Sequence, residues 1–173
     1  MARLRVPLGY LFGLAALILA RPDPRSLLLG LPLALLGEGI RVWASGHIEK
    51  TRALATGGPY AHTRNPLYFG SLLLGFGCAV AAASPWVALA VLAYFAAFYP
   101  AAIRDEAGFL AGKFGEEYAA WARAVPLFLP RPFPKGPRAT RFDGRRVAQN
   151  REWLTAVAVP AVLLLLWLRS RLG

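Results

Sequence analysis

Long apolar segments alternate with short polar connections along the chain. The apolar runs cover residues 6–20, 26–46, 67–83, 86–103 and 153–168. An α-helix needs about 20 residues to cross a bilayer, and a shorter run can span it where flanking arginines reach the headgroups. We therefore predict that each run is a membrane-spanning helix.

A different pattern follows the fourth run. Across residues 104–125, apolar side chains recur every three or four positions, with charged residues between them. This spacing is typical of an amphipathic helix, which we expect at the membrane surface or over the bundle. Gly115 is expected to bend or break it, because glycine weakens a helix interior. The predicted fold class is all-α: an integral membrane helical bundle of about five transmembrane helices plus a cytoplasmic amphipathic helix.

Prolines and basic residues separate this helix from the last apolar run. Five prolines between positions 126 and 137 preclude a regular helix there. We predict one integral membrane domain over residues 1–173, with a core at 1–130 and a C-terminal transmembrane helix at 152–173. Between them, residues 131–151 form a basic, proline-rich cytoplasmic linker, which we expect to set the topology and to contact anionic lipid.

Composition and charge agree with a membrane protein. The chain has 173 residues, is 57% hydrophobic and carries a net charge of +11. Nucleic acid is the less favoured partner for this charge, because long apolar runs leave little room for a soluble core. With the N-terminus inside, 15 of the 20 basic residues are cytoplasmic, four are outside and Arg41 is within the membrane. Residues 47–66 and 104–151 are then cytoplasmic.

Two charges fall inside the second run. Glu38 and Arg41 are three residues apart, so they share one face of the helix. Charges in a bilayer are costly unless paired, so we expect an ion pair here, with a polar substrate pocket as the alternative. His47 and His62 are isolated, and Cys78 is the only cysteine. The sequence therefore predicts no metal site.

The polar connection at residues 56–70 is the part of the chain that packing explains least. Gly57-Gly58-Pro59 and Asn65-Pro66 are turn sequences, which set the backbone direction twice within ten residues. The stretch reads Gly58-x-Tyr60 and then Arg64-Asn65-Pro66-Leu67-Tyr68-Phe69-Gly70. This resembles the signature G-x-Y-x-x-x-R-H-P-x-Y-x-G of the isoprenylcysteine carboxyl methyltransferase and phospholipid methyltransferase family, with asparagine in place of the histidine.

A second stretch matches the same family further along the chain. It contains Arg104-Asp105-Glu106 and Phe114-Gly115-Glu116-Glu117-Tyr118, and the resemblance extends across about residues 41–130. Two motifs in the right order are more specific than either alone. The resemblance implies S-adenosylmethionine as the cofactor. The residues at matching cofactor positions are Arg52, Ala53, Leu54, Ala55, Tyr60, Asn65, Pro66, Leu67, Tyr68 and Glu106.

In the family, the glutamate at the position of Glu106 helps to hold the cofactor, whose amino group and ribose hydroxyls suit a carboxylate. An ordinary interfacial acid beside Arg104 is the alternative. Asn65 can donate and accept hydrogen bonds but cannot act as a titrating base. The family often has a second acid after the glutamate, and this chain has Ala107 there.

Arg64 and Arg104 are the candidate catalytic residues, since a guanidinium can bind a substrate carboxylate or phosphate. Both also fit as markers of the cytoplasmic side. Family members that methylate carboxylates tend to place a substrate-binding arginine one turn before the glutamate, where this chain has Ala102. Arg104 is the nearest basic residue that could replace it.

The resemblance implies a membrane methyltransferase that transfers a methyl group from S-adenosylmethionine to a lipophilic acceptor, with its active site facing the cytoplasm. The acceptor could be a prenylcysteine-type carboxylate, a lipid amine or another hydrophobic small molecule. Because the resemblance ends near Pro130, residues 138–173 are expected to be dispensable for cofactor binding. The sequence leaves the oligomeric state open.

Two other functions fit parts of the pattern. A membrane sterol-type reductase that uses NADPH has a related motif, but Ser71 stands where that motif has glutamate. A non-catalytic membrane scaffold could bind lipid or a partner protein through the basic linker, which leaves residues 56–70 unexplained. Titration with S-adenosylmethionine and with NADPH separates the three functions.

Overall fold

The computed structural model describes residues 17–49, 52–135 and 140–172, and these ranges are helical with no strand. The all-α class is thereby confirmed. Most of the first predicted helix, residues 6–20, lies outside the described residues, although residues 17–19 are helical. The helices are α1 (Pro24–Ser45), α2 (Pro66–Ala81), α3 (Pro85–Ala124), α4 (Gly144–Gln149) and α5 (Trp153–Leu172), with a short 3₁₀ helix at Gly58–Ala61.

Helices α1, α2 and α3 begin at prolines, whose missing N–H costs nothing in the first turn of a helix. The side chain of Asp23 accepts hydrogen bonds from the backbone N–H groups of Arg25, at 2.7 Å, and Ser26, at 3.0 Å. The Ser26 hydroxyl also donates to the carbonyl of Ala81 at 3.1 Å, which joins the start of α1 to the end of α2. These caps satisfy backbone groups that a helix end leaves unpaired.

Three of the described helices have the length and apolarity to cross a bilayer: Pro24–Ser45, Pro85–Ala124 and Trp153–Arg171. They make this an integral membrane protein. Helix α2 is apolar but shorter than these three. The spans expected at residues 6–20 and 67–83 stay predictions, and so does the total of five.

Helix α3 differs from its prediction. The fourth span and the amphipathic helix were expected as separate elements that meet at Arg104, but within Pro85–Ala124 the helix runs through Arg104 without interruption and breaks only at Gly115. The polar residues that begin at Arg104 change which face can be buried, but the nearby Pro100, Gly108 and Gly112 leave the backbone helical. The predicted break at Gly115 is confirmed, since its φ of 47° and ψ of −120° are not helical.

The described residues form two compact units, whose boundary falls inside four of the helices. The first unit contains the described residues up to Gly37, Leu72–Ala102 and the described residues from Val157 onward. Small residues let α1 and α2 approach closely in this unit. A side chain at Gly77 would meet the backbone of Ala34, so glycine at this position permits the close approach.

The second unit consists of Glu38–Ser71 and Ile103–Ala156. Its core contains Ala44, Leu54, Tyr60, Tyr118, Trp121 and Val125. The proline-rich residues 126–135 are not helical, as predicted, but the region called the linker contains the short helix α4. This unit holds every residue predicted for the candidate site, and it extends well past position 130.

Candidate functional site

Residues 56–65, here called the signature loop, are largely buried in the second unit. Thr56, Tyr60, Thr63 and Asn65 are at most 8% exposed. Gly58 has a φ of 56°, and a side chain there would also collide with the ring of His47. Glycine is required at this position for both reasons.

Residues that follow α3 hold the second half of the signature loop. The Asn65 amide donates to the carbonyl of Leu127 at 2.8 Å, and the Thr63 hydroxyl donates to that of Phe128 at 2.8 Å. The backbone N–H of Arg64 donates to the carbonyl of Pro126 at 2.9 Å. Asn65 therefore uses its side chain to position the loop, a role that comparison with the family histidine did not reveal.

The end of α3 supports the loop from another side. The Trp121 indole N–H donates to the carbonyl of Tyr60 at 3.1 Å, and Trp121 is 1% exposed. The rings of Tyr118 and Trp121 meet edge to face with centroids 5.8 Å apart. Both aromatic residues belong to the apolar stripe predicted for residues 104–125. This part of the stripe packs into the core of the second unit.

Arg64 is half-buried and lacks an acidic partner among the described residues. Its Nη1 donates to the Tyr118 hydroxyl at 3.3 Å, and its buried Nε has no acceptor. The Arg64 guanidinium therefore has N–H donors and a positive charge available to bind an anion. The arrangement suits a carboxylate or phosphate ligand, as predicted for Arg64.

Glu106 and Arg104 are exposed on α3, as is Asp105 between them. Around the signature loop, Arg52 and Ala53 are exposed, whereas Leu54 is buried. The remaining predicted positions there are half-buried at Ala55, Leu67 and Tyr68, and buried at Pro66.

Burial raises the pKa of Tyr60, and the negative charges of Glu106 and Glu152 raise it further. The folded protein therefore keeps this proton at pH values where an unfolded tyrosine, with a pKa of about 10, has lost it. Stability should be unaffected by this group below about pH 10 and should fall as the pH rises above that value. We expect Tyr60→Phe to lose less stability than the wild type between pH 8 and pH 11, measured by thermal unfolding in detergent. An identical loss in both proteins would contradict this.

A buried cluster around Arg41 was only partly predicted. The expected Glu38–Arg41 pair is present at 3.8 Å, but the closer partner is Glu152, 2.7 Å from both Nε and Nη2 of Arg41. Arg41 also donates to the hydroxyl of Ser71, and to that of Thr155 at 3.3 Å. Glu152 stands directly before the last apolar run. An acid at that position is the feature of the sequence that could have suggested it as a partner for Arg41.

A family model described as phospholipid methyltransferase matches residues 34–117. Over these residues the chain is similar to the phospholipid methyltransferase family. The match includes the whole signature loop and Glu106, so it confirms the resemblance predicted from the two motifs. No solved structure matches the chain.

Two curated relatives of the chain are named for metal resistance. The cobalt-zinc-cadmium resistance protein CzcN of Cupriavidus metallidurans is 42% identical over 108 residues, which are 60% of this chain and 47% of that protein. The nickel-cobalt-cadmium resistance protein NccN of Alcaligenes xylosoxydans xylosoxydans is 35% identical over 106 residues, 60% of this chain and 48% of that protein. The chain thus spans about half the length of these relatives. No group of three or more His, Cys, Asp and Glu side chains suited to a metal ion occurs within the described ranges.

The family match ends at residue 117, before several residues that hold the signature loop. Trp121 and the carbonyls of Pro126, Leu127 and Phe128 all lie beyond it. The segment that matches the family model therefore depends on residues C-terminal to it for the shape of its loop.

Proposed function

We propose that this protein is a membrane methyltransferase that uses S-adenosylmethionine to methylate a lipophilic acceptor. The observation that carries the proposal is Arg64, a half-buried guanidinium in the family signature with no acidic partner among the described residues. A scaffold protein has no need to leave such a charge unpaired, whereas an anionic ligand would neutralise it.

The residues present fit the cofactor. Arg64 can bind a carboxylate, either that of the methionine part of the cofactor or that of the acceptor. Glu106, which is exposed, can receive the amino group or the ribose hydroxyls. The sulfonium of the bound cofactor supplies an already activated methyl group. The residues of the loop then have to align the acceptor and exclude water, which the buried hydrogen bonds of Thr63 and Asn65 support by fixing the backbone.

The acceptor class follows from the family and from the membrane. A lipophilic acceptor can reach the protein through the bilayer, and a carboxylate acceptor needs no general base. An amine acceptor would have to be unprotonated, and Asn65 cannot remove its proton. Arg104 is exposed and free to contact an acidic headgroup. The names of the two relatives add metal resistance as a setting in which to look for the acceptor.

The cofactor is tested most directly at Glu106. We expect Glu106→Gln to lower the affinity for S-adenosylmethionine by about ten- to a hundredfold, because a charge-assisted hydrogen bond contributes about 1.5–3 kcal/mol. Isothermal titration in detergent measures the change. Asp105→Asn is the matched control, since it removes a neighbouring exposed carboxylate from the same helix. Equal affinity in the two variants would remove Glu106 from the site.

The wild-type protein in the same titration decides between the functions. Binding of S-adenosylmethionine but not of NADPH supports methyl transfer, and the reverse supports a reductase. Binding of neither supports the scaffold. Ser71 already argues against the reductase, because its hydroxyl accepts from Arg41 and donates to the carbonyl of Leu67 at 2.8 Å.

We also propose that the signature loop and the described residues of 126–151 face the cytoplasm, as the distribution of basic residues predicts. In a Cys78→Ala background, a cysteine at Ala53 or Gln149 should resist an impermeant thiol reagent added outside sealed cells. A cysteine at Arg25 should react. All three positions are exposed, so burial does not hide them. Labelling of Ala53→Cys or Gln149→Cys from outside would reverse the orientation.

A further inference from the structure

We infer that residues 140–152, which follow the family match, position the signature loop and complete the cofactor site. This inference rests on the proposed function. It reverses the expectation that residues 138–173 are dispensable for cofactor binding, because that expectation took the end of the sequence resemblance as the end of the site. The contacts lie at three places along the segment, and all of them are within the second compact unit.

The first contact is between Thr140 and the glycine pair of the loop. The backbone N–H of Gly57 donates to the Thr140 hydroxyl at 2.9 Å, and both residues are buried. A side chain at Gly57 would fall on the carbonyl oxygen of Thr140. The two backbones are therefore in direct contact, and Thr140 supplies the acceptor for a buried N–H that has no place in a helix.

The second contact is with the turn that follows α1. The backbone N–H of Asp143 donates to the carbonyl of Gly46 at 2.9 Å, and a side chain at Gly46 would collide with the ring of Phe142. The rings of Phe142 and His47 are 6.0 Å apart, and His47 in turn lies against Gly58 of the signature loop. Packing therefore continues from the segment, through one histidine, to the second glycine of the loop.

The third contact is at the end of the segment. The Asn150 amide donates to the carbonyls of Ser45, at 2.9 Å, and Ile48, at 3.2 Å. These carbonyls lie where α1 ends and lacks further helical donors. Two residues later, Glu152 pairs with Arg41 of α1 at 2.7 Å. The segment is thus attached to the signature loop at its first residue, Thr140, and to α1 at its end, through Asn150 and Glu152.

The residues that make these contacts are not the basic ones. Thr140, Asn150 and Glu152 are buried or half-buried, whereas Arg141 and Arg145 are exposed. A linker that only set topology or touched lipid would need the arginines but not the buried hydrogen bonds. The segment therefore combines two roles. The positioning role belongs to its uncharged side chains and Glu152, and Arg146 adds an ion pair to Glu49 at 3.3 Å.

Thr140→Val tests the inference in the full-length protein, since valine keeps the shape of threonine and removes the acceptor. We expect the dissociation constant and the KM for S-adenosylmethionine to rise about five- to tenfold, with kcat at saturating cofactor and the KM of the acceptor near wild type. Thr140→Ser keeps the hydroxyl and should stay within about twofold of wild type. Asn150→Leu should act as Thr140→Val does, and Gln149→Leu, an exposed neighbouring amide, is its control.

The outcomes separate this inference from the proposed function. If the wild type does not bind S-adenosylmethionine, the proposed function itself fails. If the wild type binds it, but Thr140→Val and Asn150→Leu bind it equally well, residues 140–152 do not position the site. A purely structural role is recognised by a lower melting temperature and lower kcat with an unchanged KM for the cofactor, and that result also overturns the inference.

Discussion

Arg41→Met is expected to lower the free energy of unfolding by about 3–5 kcal/mol, because it leaves two carboxylates buried without their cation. Glu38 and Glu152 are 8% and 6% exposed. Glu152 forms an ion pair with Arg41 at 2.7 Å. Both carboxylate oxygens of Glu38 already lack a hydrogen-bond partner among the described residues. Removing the guanidinium would leave two like charges in one buried site. Thermal or denaturant unfolding in detergent measures the loss.

Two further proteins show whether charge is the cause. Arg145→Met removes an exposed arginine and should change stability by no more than about 0.5 kcal/mol. The double variant Arg41→Met with Glu152→Gln should recover much of the loss, since a neutral amide costs less to bury than an unpaired carboxylate. The interpretation is wrong if Arg41→Met is as stable as Arg145→Met, or if the double variant is worse than Arg41→Met alone.

The helices could be predicted where the chain carries its own start and stop signals. The apolar runs predicted α1, α2 and α5 close to their observed bounds, with prolines at the start of α1 and α2, and Gly115 marked the break within α3. The join between the fourth span and the amphipathic helix was not predicted, because a change from apolar to charged residues at Arg104 reads as a boundary. The backbone has no such boundary there, since helix propagation depends on the local residues rather than on what each face contacts.

The site divides in the same way. Its local part consists of two short motifs, the signature loop with Arg64 and the stretch with Glu106, and each could be recognised from neighbouring residues in the sequence. Its long-range part joins residues 83 positions apart at Gly57 and Thr140, and 111 positions apart at Arg41 and Glu152. Neither pairing leaves a periodic pattern in the sequence. Glu38 and Arg41 are three residues apart in one helix, so their spacing alone predicted the pair. The same spacing gave no reason to look for Glu152, which lies closer to Arg41.

The contribution of Trp121 to the site combines both kinds of interaction. Its position in the apolar stripe of α3 predicted burial, and it is 1% exposed. The hydrogen bond from its indole to the carbonyl of Tyr60, 61 positions away and 3.1 Å long, was not predicted. The side chain therefore fills the core beneath the signature loop and also fixes one backbone group of that loop.

Trp121→Ala should accordingly destabilise the protein by about 3–5 kcal/mol, the usual cost of removing a buried tryptophan. Trp121→Phe keeps an edge-to-face contact with Tyr118 but leaves the Tyr60 carbonyl without its donor, so a loss of about 1–3 kcal/mol is expected. Thermal unfolding in detergent ranks the two variants. Trp86→Ala is the control, because Trp86 is 66% exposed and should matter little.

The same three proteins connect core packing to function. If Trp121 holds the loop in its binding geometry, Trp121→Phe should weaken binding of S-adenosylmethionine by about fivefold even at temperatures where the protein remains folded. Trp86→Ala should bind as the wild type does. Should Trp121→Phe melt at a lower temperature but bind with wild-type affinity, the indole would serve stability alone, and the carbonyl of Tyr60 would have no part in shaping the cofactor site.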